Sequence, residues 1–299
     1  VNAGGSIFNV TKPVNIIALN SGKAIVGTSD TDFTWSLSGG QTNTYETSRS
    51  GAEFVILYDG FQDTKLTLKT SIAEVEAETN SYWVDGSTVY INVGGVPVSS
   101  NIYITFNSIN ILKFNNDIYA EGIIFEGGIN AFEAYKTVDA VKVYTKDCQF
   151  RYSADNARAV TNATESFSVN CSVRDYNADG FNYHKDGSVP VSLFAEIDCI
   201  GGNGGSGVSD QVSTTHDGIQ GIRLNCVYDT NNEDIVTDIN AGTVTWNVGC
   251  DFKNAQGGYD YEVYDSAVMI LEGCKIYPTT KINSTGGTFI NNNPDVRYK

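Results

Sequence analysis

The stretch VTWNVGC at residues 244–250 is followed by VMILEGC at residues 268–274, and the two phrases read alike. Phrases of the same form end at the other four cysteines: VKVYTKDC (141–148), SFSVNC (166–171), LFAEIDC (193–199) and GIRLNC (221–226). The six cysteines are 23, 28, 27, 24 and 24 residues apart, and each follows an alternating stretch and one small residue. The earlier phrase IYAEGIIF (118–125) fits the series with Gly122 in the cysteine place.

A period in the twenties predicts a solenoid in which each repeat forms one turn. The chain holds 28 Val and 25 Ile against 9 Leu, with 30 Gly and 5 Pro. This balance favours strands over helices. We therefore expect an all-β fold, a parallel β-helix, in which the cysteines stack inside as buried, reduced thiols.

The period is lost after Thr34 and returns near Ile109. Between them, three stretches resemble meander strands with glycine turns: EFVILY (53–58), LTL (66–68) and TVYINV (88–93). The Ser71–Glu74 spacing is a capping box and predicts one short helix. The predicted organisation is first β-helix turns at residues 1–34, a small inserted β-rich module near the N-terminus at residues 35–107, and the parallel β-helix at residues 108–299.

The charge balance bears on partners. With 19 Lys and Arg against 35 Asp and Glu, the formal charge is −16, which opposes binding to nucleic acid. No run reaches the roughly 18 apolar residues of a membrane span. We expect neither nucleic acid nor a membrane as partner. Screening acts over about 8 Å at physiological salt, so an anionic glycan stays open as a ligand.

Two histidines, His184 and His216, fall on consecutive turns. They lie in the similar phrases DGFNYHKDG (179–187) and SDQVSTTHDG (209–218), in which Asp-Gly follows the histidine at once or after one residue. Stacking of the turns would bring the two imidazoles, Asp186 and Asp217 onto one outer patch. Alternation supports this direction for His184, because Phe181 and Tyr183 would point into the core.

Two reactions suit such a patch. Glycoside hydrolysis needs two carboxyls about 5 Å or roughly 6.5–9.5 Å apart, which neighbouring turns supply. A lyase needs a base, which histidine provides near neutral pH, and a cation that neutralises a uronate. The spacing leaves both reactions open. The candidate catalytic residues are His184, Asp186, His216, Asp217, Asp179 and Asp210.

The neighbouring polar residues predict the substrate contacts. Lys185 and Arg223 are the nearest cations for a uronate, and an acidic face with Asp238, Asp260 and Glu262 is the alternative location of the site. No His-x-x-x-His or cysteine pair fixes a metal geometry, so we expect no metal site and no cofactor, with calcium on aspartates left open. The candidate substrate-binding residues are Asn182, Lys185, Gln211, Arg223 and Asp238.

Over roughly residues 110–275 the sequence resembles the pectate-lyase-fold family, which includes bacteriophage tailspike polysaccharide depolymerases. The resemblance is carried by the turn length and by the phrases DGFNYH (179–184), STTHDG (213–218) and VTWNVGC (244–250). It implies a right-handed parallel β-helix that binds a bacterial surface polysaccharide along its long face, commonly as a homotrimer.

The expected function is degradation of a bacterial surface glycan, by a glycoside hydrolase or polysaccharide lyase of a phage tailspike. The expected location is the virion tail or the extracellular space. The alternative is a non-catalytic glycan-binding or structural β-helix of a virion or cell surface, because one fold of this kind hosts several activities.

Overall fold

The computed structural model describes residues 8–22, 24–27, 29–59, 62–107, 112–136, 140–186, 192–205 and 210–293. The first strands are β1 Phe8–Val10, β2 Val14–Ile17 and β3 Ala24–Gly27. The next segment contains β4 Ser36–Leu37, β5 Tyr45–Ser48, β6 Ala52–Asp59, β7 Gln62–Lys65, β8 Thr67–Leu68, α1 Ile72–Ala77, β9 Ser81–Asp85, β10 Thr88–Asn92, a 3₁₀ turn at Ser99–Asn101 and β11 Ile102–Phe106.

Shorter strands then follow one another with a regular spacing. Up to the second histidine phrase they are β12 Leu112–Phe114, β13 Ile118–Glu121, β14 Ile123–Glu126, β15 Phe132–Tyr135, β16 Val141–Lys146, β17 Gln149–Ser153, β18 Arg158–Thr161, β19 Ala163–Val169, β20 Ser172–Tyr176, β21 Asp179–His184, β22 Leu193–Ile197, β23 Ile200–Gly202 and β24 Gln211–Thr215. The remainder are β25 Gln220–Leu224, β26 Val227–Asn231, β27 Asp234–Asp238, β28 Val244–Val248, β29 Asp251–Ala255, β30 Tyr261–Val263, β31 Val268–Glu272, β32 Ile282–Asn283 and β33 Thr288–Asn291.

Every third of these strands joins the same sheet, and the chain coils into a parallel solenoid with three walls. Sheet A has the order β1-β12-β15-β18-β21-β24-β27-β30-β32, and sheet B the order β2-β13-β16-β19-β22-β25-β28-β31-β33. Sheet C has the order β3-β14-β17-β20-β23-β26-β29. The all-β parallel solenoid predicted from the cysteine period is confirmed. A right-handed coil is expected from the general handedness of parallel crossover connections, and the handedness of this solenoid stays a prediction.

A left-handed residue forms the corner between sheets B and C in each turn. Gly, Asn and Asp tolerate a positive φ better than other residues do, which explains the small residue before each cysteine. The structure shifts one prediction by a position, because Gly122 forms this corner and Ile123 takes the cysteine place. The corner residues, with φ between +50° and +70°, are Gly122, Asp147, Asn170, Asp198, Asn225, Gly249 and Gly273.

All six cysteines are buried and free, as the period predicts. The thiols of Cys148, Cys199, Cys226, Cys250 and Cys274 also donate hydrogen bonds to backbone carbonyls of the preceding turn. Cys250 Sγ donates to the Arg223 carbonyl at 3.1 Å, and Cys274 Sγ donates to the Asn247 carbonyl at 3.0 Å. The stacked cysteines therefore provide hydrogen-bond donors for backbone carbonyls at the corner, and they also fill space in the core.

The segment between β4 and β11 builds two small sheets outside the three walls. Their strand orders are β4-β5-β10-β9-β8 and β11-β6-β7. Ser71 caps α1 by accepting a hydrogen bond from the Glu74 amide, which confirms the predicted capping box. A separate apolar core that includes Val55, Val89 and Ile104 holds this segment together. The domain limits at residues 34/35 and 107/108 stay predictions, and residue 108 lies outside the described residues.

This module, residues 35–107, packs on the outer face of sheet C. Phe54 stacks near the Tyr152 ring, with centroids 5.9 Å apart. Asp63 accepts a hydrogen bond from Arg151 Nη1 at 3.1 Å and also pairs with Arg174. Aromatic packing and ion pairs together fix the module against the solenoid.

The outer face of sheet B is charged over β13, β16 and β19, where Lys142 pairs with Glu165 and Lys146 with Glu121, and apolar over its later strands. Register places Ile222, Trp246, Ile270 and Ile290 in one line along four neighbouring strands. Trp246 is 50% exposed and Leu193, on the same face, is 41% exposed. Among the described residues, no helix is long and apolar enough to cross a bilayer.

Candidate functional site

The outer face of sheet A is polar. Register places Asn182, Thr214, Thr237, Glu262 and Asn283 in one line across five neighbouring strands. The residues that alternate with them point inward, as predicted for Phe181 and Tyr183, which are 0% and 1% exposed. The strand pattern therefore places amide, hydroxyl and carboxyl groups on one side of the sheet, where Asn182, Thr214 and Thr237 are 5%, 0% and 1% exposed.

The two histidines meet at one edge of this face. The rings of His184 and His216 stack with centroids 4.2 Å apart and an angle of 14° between their planes. Asp217 Oδ2 lies 3.3 Å from His184 Nδ1 and accepts a hydrogen bond from the Lys185 amide. Burial lowers the pKa of His216 to about 4, and the neighbouring His184 adds to this effect. His216 is therefore neutral at pH 7.

Asp186 binds the Asn162 side chain of the preceding turn. Its carboxylate accepts a hydrogen bond from Asn162 Nδ2 at 3.0 Å, and its amide donates to Asn162 Oδ1 at 2.7 Å. This reciprocal pair ties two turns together. Asp186 lies two residues beyond His184, but it makes these hydrogen bonds with Asn162 of the preceding turn and not with the histidine pair.

At the other end of β21, Asp179 occupies a shielded position on the same polar face. Its carboxyl accepts hydrogen bonds from the Asn182 side chain and from the Gln211 amide, the latter at 3.2 Å. Burial raises the pKa of Asp179 to about 7, and the bonds from Asn182 and Thr214 oppose this rise. An aspartate that is half protonated near neutral pH suits a proton donor.

Two further carboxyls complete this end of the face. Asp234 accepts a hydrogen bond from Gln211 Nε2 at 3.3 Å, and Glu262 accepts one from Asn283 Nδ2 at 2.9 Å. The Asp234 and Glu262 side chains also share a hydrogen bond, and burial raises the pKa of both. We call Asp179, Asp234 and Glu262 the carboxyl row.

The Tyr264 phenol lies close to the carboxyl row. Burial is the main cause of its raised pKa, and the charges of Glu262, Asp234 and Asp179 raise it further. A phenol so placed offers both a hydrogen-bonding hydroxyl and an aromatic face to a sugar.

Three predicted site residues lie away from this face. Arg223 and Asp238 are 0% exposed, inside the solenoid, with Arg223 Nη2 3.2 Å from Asp238 Oδ1. Asp210 is 0% exposed in the turn before β24, where its carbonyl accepts a hydrogen bond from the Asp234 amide at 3.0 Å. A glycan on the outer face cannot contact these side chains, so the roles expected for them do not fit the structure.

Alternation along the strands gives the reason. Arg223 follows Ile222, whose side chain is on the outer face of sheet B, so Arg223 points inward. Asp210 precedes Gln211, and Gln211 is the residue that pairs with Asp179. A shift of one residue exchanges the two sides of a strand.

Asp234 is not among the residues that the sequence pattern predicts. Register pairs Asp179 with Gln211 and Gln211 with Asp234, so the three side chains occupy equivalent positions on consecutive turns. An alignment of the turns on Asp179 rather than on the histidines would reveal Asp234.

The carboxyl row suits inverting glycoside hydrolysis. Asp179 and Asp234 are separated by two strand spacings, which sets their Cα atoms roughly 9.6 Å apart and leaves a carboxyl separation of the order that inversion requires. Inverting hydrolases hold their two carboxyls about 6.5–9.5 Å apart, with room for a water. Among the described residues, no group of three or more His, Cys, Asp or Glu side chains is placed to hold a metal ion.

No protein-family model matches the chain, and no curated protein matches it. Among solved structures, the tailspike protein gp49 from Pseudomonas phage LKA1 is similar, with 12% sequence identity and a TM-score of 0.25. The match covers 90% of this chain and 53% of that chain, so the chain spans about half the length of that structure. The assignment of the fold rests on the strand pairing described above.

Proposed function

We propose that the protein hydrolyses a polysaccharide on the outer face of sheet A, with inversion at the cleaved sugar. The observation that carries the proposal is the carboxyl row on a polar face, where burial raises the pKa of Asp179 to about 7. Asp179 protonates the leaving oxygen, and Asp234 activates a water from the opposite side. Glu262 shares a hydrogen bond with Asp234 and orients it.

The polar face favours a neutral glycan and hydrolysis over a lyase reaction. A lyase needs a cation beside the uronate carboxylate, but Arg223 is enclosed in the solenoid and Lys185 follows His184 at the opposite end of β21 from the carboxyl row. The side chains of the carboxyl row and its polar neighbours are carboxyls, amides and hydroxyls. Negative charge on this row repels a uronate and accepts hydrogen bonds from sugar hydroxyls.

The histidine pair binds the substrate at the other end of β21. Neutral His216 offers a ring nitrogen to a sugar hydroxyl, and its stacked partner His184 is oriented by Asp217. A sugar chain that crosses sheet A contacts this pair and the carboxyl row together.

We further propose that the glycan is a bacterial surface polysaccharide and that the chain acts in a bacteriophage tailspike, at the virion tail or outside the cell. The parallel solenoid and the phrases shared with the pectate-lyase-fold family support this placement.

We also propose that the chain forms a homotrimer through the outer face of sheet B. The line from Ile222 to Ile290 carries apolar side chains in a chain of net charge −16. Copies that repel one another over most of their surface approach most easily through the apolar strands of this sheet, β25 to β33, rather than through its charged strands. Exposed apolar surface of this kind marks association sites.

The test is to incubate the protein with a panel of purified capsules and O-antigens and to measure reducing ends and the absorbance of unsaturated uronate. We expect reducing ends without unsaturated product. Asp179→Asn should lower the rate about 10²–10⁴-fold, because the general acid is lost. The control is Asp229→Asn on sheet C, where Asp229 pairs with Lys253 at 3.7 Å.

Equal rates in Asp179→Asn and the parent protein would refute the assignment of the acid. Unsaturated product would indicate a lyase. Glycan binding without turnover across the panel would favour the non-catalytic alternative.

A further inference from the structure

A cleft of about 350 Å³ lies between the module and sheet C. Pockets that hold small ligands occupy roughly 300–1,000 Å³, so this cleft is large enough for a ligand. Its module wall includes Phe54, Leu66 and Leu68, and its solenoid wall includes Asp175, Asn177 and Asn203. The module wall also carries Glu53 and Lys65, so the cleft combines an apolar patch with polar groups from both walls.

The charges of the cleft are already paired. Lys65 forms an ion pair with Asp175, which also accepts a hydrogen bond from Asn203 Nδ2 at 2.6 Å. The Glu53 carboxyl accepts a hydrogen bond from the Asn177 amide, and burial raises the pKa of Glu53. A charged ligand would have to break one of these pairs, so the cleft favours a neutral one.

The polar groups of the two walls supply donors and acceptors. The Lys65 ammonium and the two asparagine amides donate, while the Glu53 and Asp175 carboxyls accept, and each group has capacity for a further hydrogen bond beyond the pairs named above. Leu68, on the module wall, is 62% exposed and offers apolar surface at the rim. A pyranose ring matches this arrangement, since its C–H faces are apolar and its edge carries hydroxyls.

We propose that this cleft binds one or two units of a neutral saccharide, independently of the carboxyl row. The proposal goes beyond the proposed hydrolysis because it stands on the walls of the cleft alone. Asn177 is two residues before Asp179 in the chain, so the cleft and the carboxyl row adjoin the same corner of the solenoid. A polymer held in the cleft stays beside the row.

The experiment is saturation-transfer difference NMR with maltose, cellobiose and N,N′-diacetylchitobiose as probes. We expect transfer from the parent protein to at least one probe. Leu68→Trp, which fills the cleft, and Asn177→Ala, which removes a polar contact, should each lose it. The matched control is Leu37→Trp, because Leu37 is also exposed on the module, at 52%, and does not line the cleft.

Asp179→Asn separates this site from the proposed hydrolysis. The variant should keep saturation transfer to the same probe while its turnover falls. Loss of transfer in Asp179→Asn would place the sugar on the carboxyl row and overturn the proposal. Absence of transfer to all three probes, or unchanged transfer in both cleft variants, would overturn it as well.

Discussion

Arg223 lies inside the solenoid and connects two buried carboxylates. Its guanidinium is 3.4 Å from Glu196 and 3.2 Å from Asp238, and it also donates to the hydroxyls of Ser213 and Thr215. All of these groups are buried. Removal of the cation would leave two carboxyls without their partner in a medium that solvates charge poorly.

Arg158 is equally buried but is held differently. Its Nη2 donates to Ser166 Oγ at 3.0 Å, while Nε and Nη1 make no hydrogen bond to the described residues. The rings of Phe132 and Tyr183 lie 5.7 and 5.6 Å from its guanidinium carbon. Cation–π attraction and one hydrogen bond replace the ion pairs that Arg223 makes.

The two arginines should therefore respond differently to replacement by methionine. Arg223→Met should lower the free energy of unfolding by about 3–5 kcal/mol, because it breaks a buried ion network. Arg158→Met should change it far less, since no carboxylate loses its partner. Urea unfolding of the two variants measures the difference, and equal losses would contradict this account.

Four aspartates show which features of the site could not be inferred from the sequence. Asp179, Asp210, Asp234 and Asp260 all stand at or near the start of a sheet A strand, and the sequence alone treats them alike. Strand register distinguishes them. Asp179 and Asp234 both pair with Gln211 of the strand between them, whereas Asp210 lies one residue before Gln211. The histidine pair could be predicted because two matching phrases, each with Asp-Gly soon after the histidine, occur on consecutive turns. The carboxyl row as a set could not, although Asp179 and Glu262 are separate candidates, because the position of Asp234 depends on the bend of each strand.

At the scale of the element, the three sheets have different outer surfaces. Sheet A is polar, sheet B is charged over its first strands and apolar over its later ones, and sheet C carries charges that bind the module. The cysteine period predicts the turns and hence the sheets. It does not predict which sheet faces which partner, because that depends on residues between the cysteines.

Trp246 provides the test of self-association through sheet B. We expect the parent protein to sediment at about three times its chain mass of 32.3 kDa. Trp246→Glu should weaken association at least roughly 30-fold, because burial of an unpaired charge costs about 2 kcal/mol or more. Analytical ultracentrifugation over a concentration series measures the change.

The matched control is Ile200→Glu. Ile200 is 56% exposed and lies on sheet C rather than sheet B. It should keep the association of the parent protein. A monomeric parent, or equal effects of the two variants, would refute the proposed interface.

At the scale of the whole molecule, buried ionisable groups set the response to pH. Burial raises the pKa of Asp179 to about 7, from an ordinary value of 3.8. Its contribution to the free energy of unfolding is therefore full below about pH 4 and is lost as the pH rises through 7. Burial also raises the pKa of Glu196 and of Asp238, and Arg223 opposes both shifts.

His216 acts in the opposite direction. Its pKa falls from 6.5 to about 4, so the fold holds it neutral. Its contribution to stability is present above pH 6.5 and is lost as the pH falls towards 4. Between pH 4 and 7 the effects of Asp179 and His216 oppose each other.

Asp179→Asn isolates one of these effects. Relative to this variant, the parent protein should lose on the order of 4 kcal/mol of unfolding free energy between pH 4 and pH 7, because the shift spans about three pKa units. Chemical denaturation at several pH values in this interval measures both curves. Parallel curves would show that Asp179 does not titrate as the structure implies.

The module lies between the first strands and their partners, and this has a consequence for the order of events during synthesis. Phe8 pairs with Leu112, so β1 must wait until more than a hundred further residues have left the ribosome. During that interval β9 and β10 can close locally, because Asp85 pairs with Thr88 across a two-residue turn. We expect the module to fold first, while β1 to β3 remain open strands that a chaperone could bind.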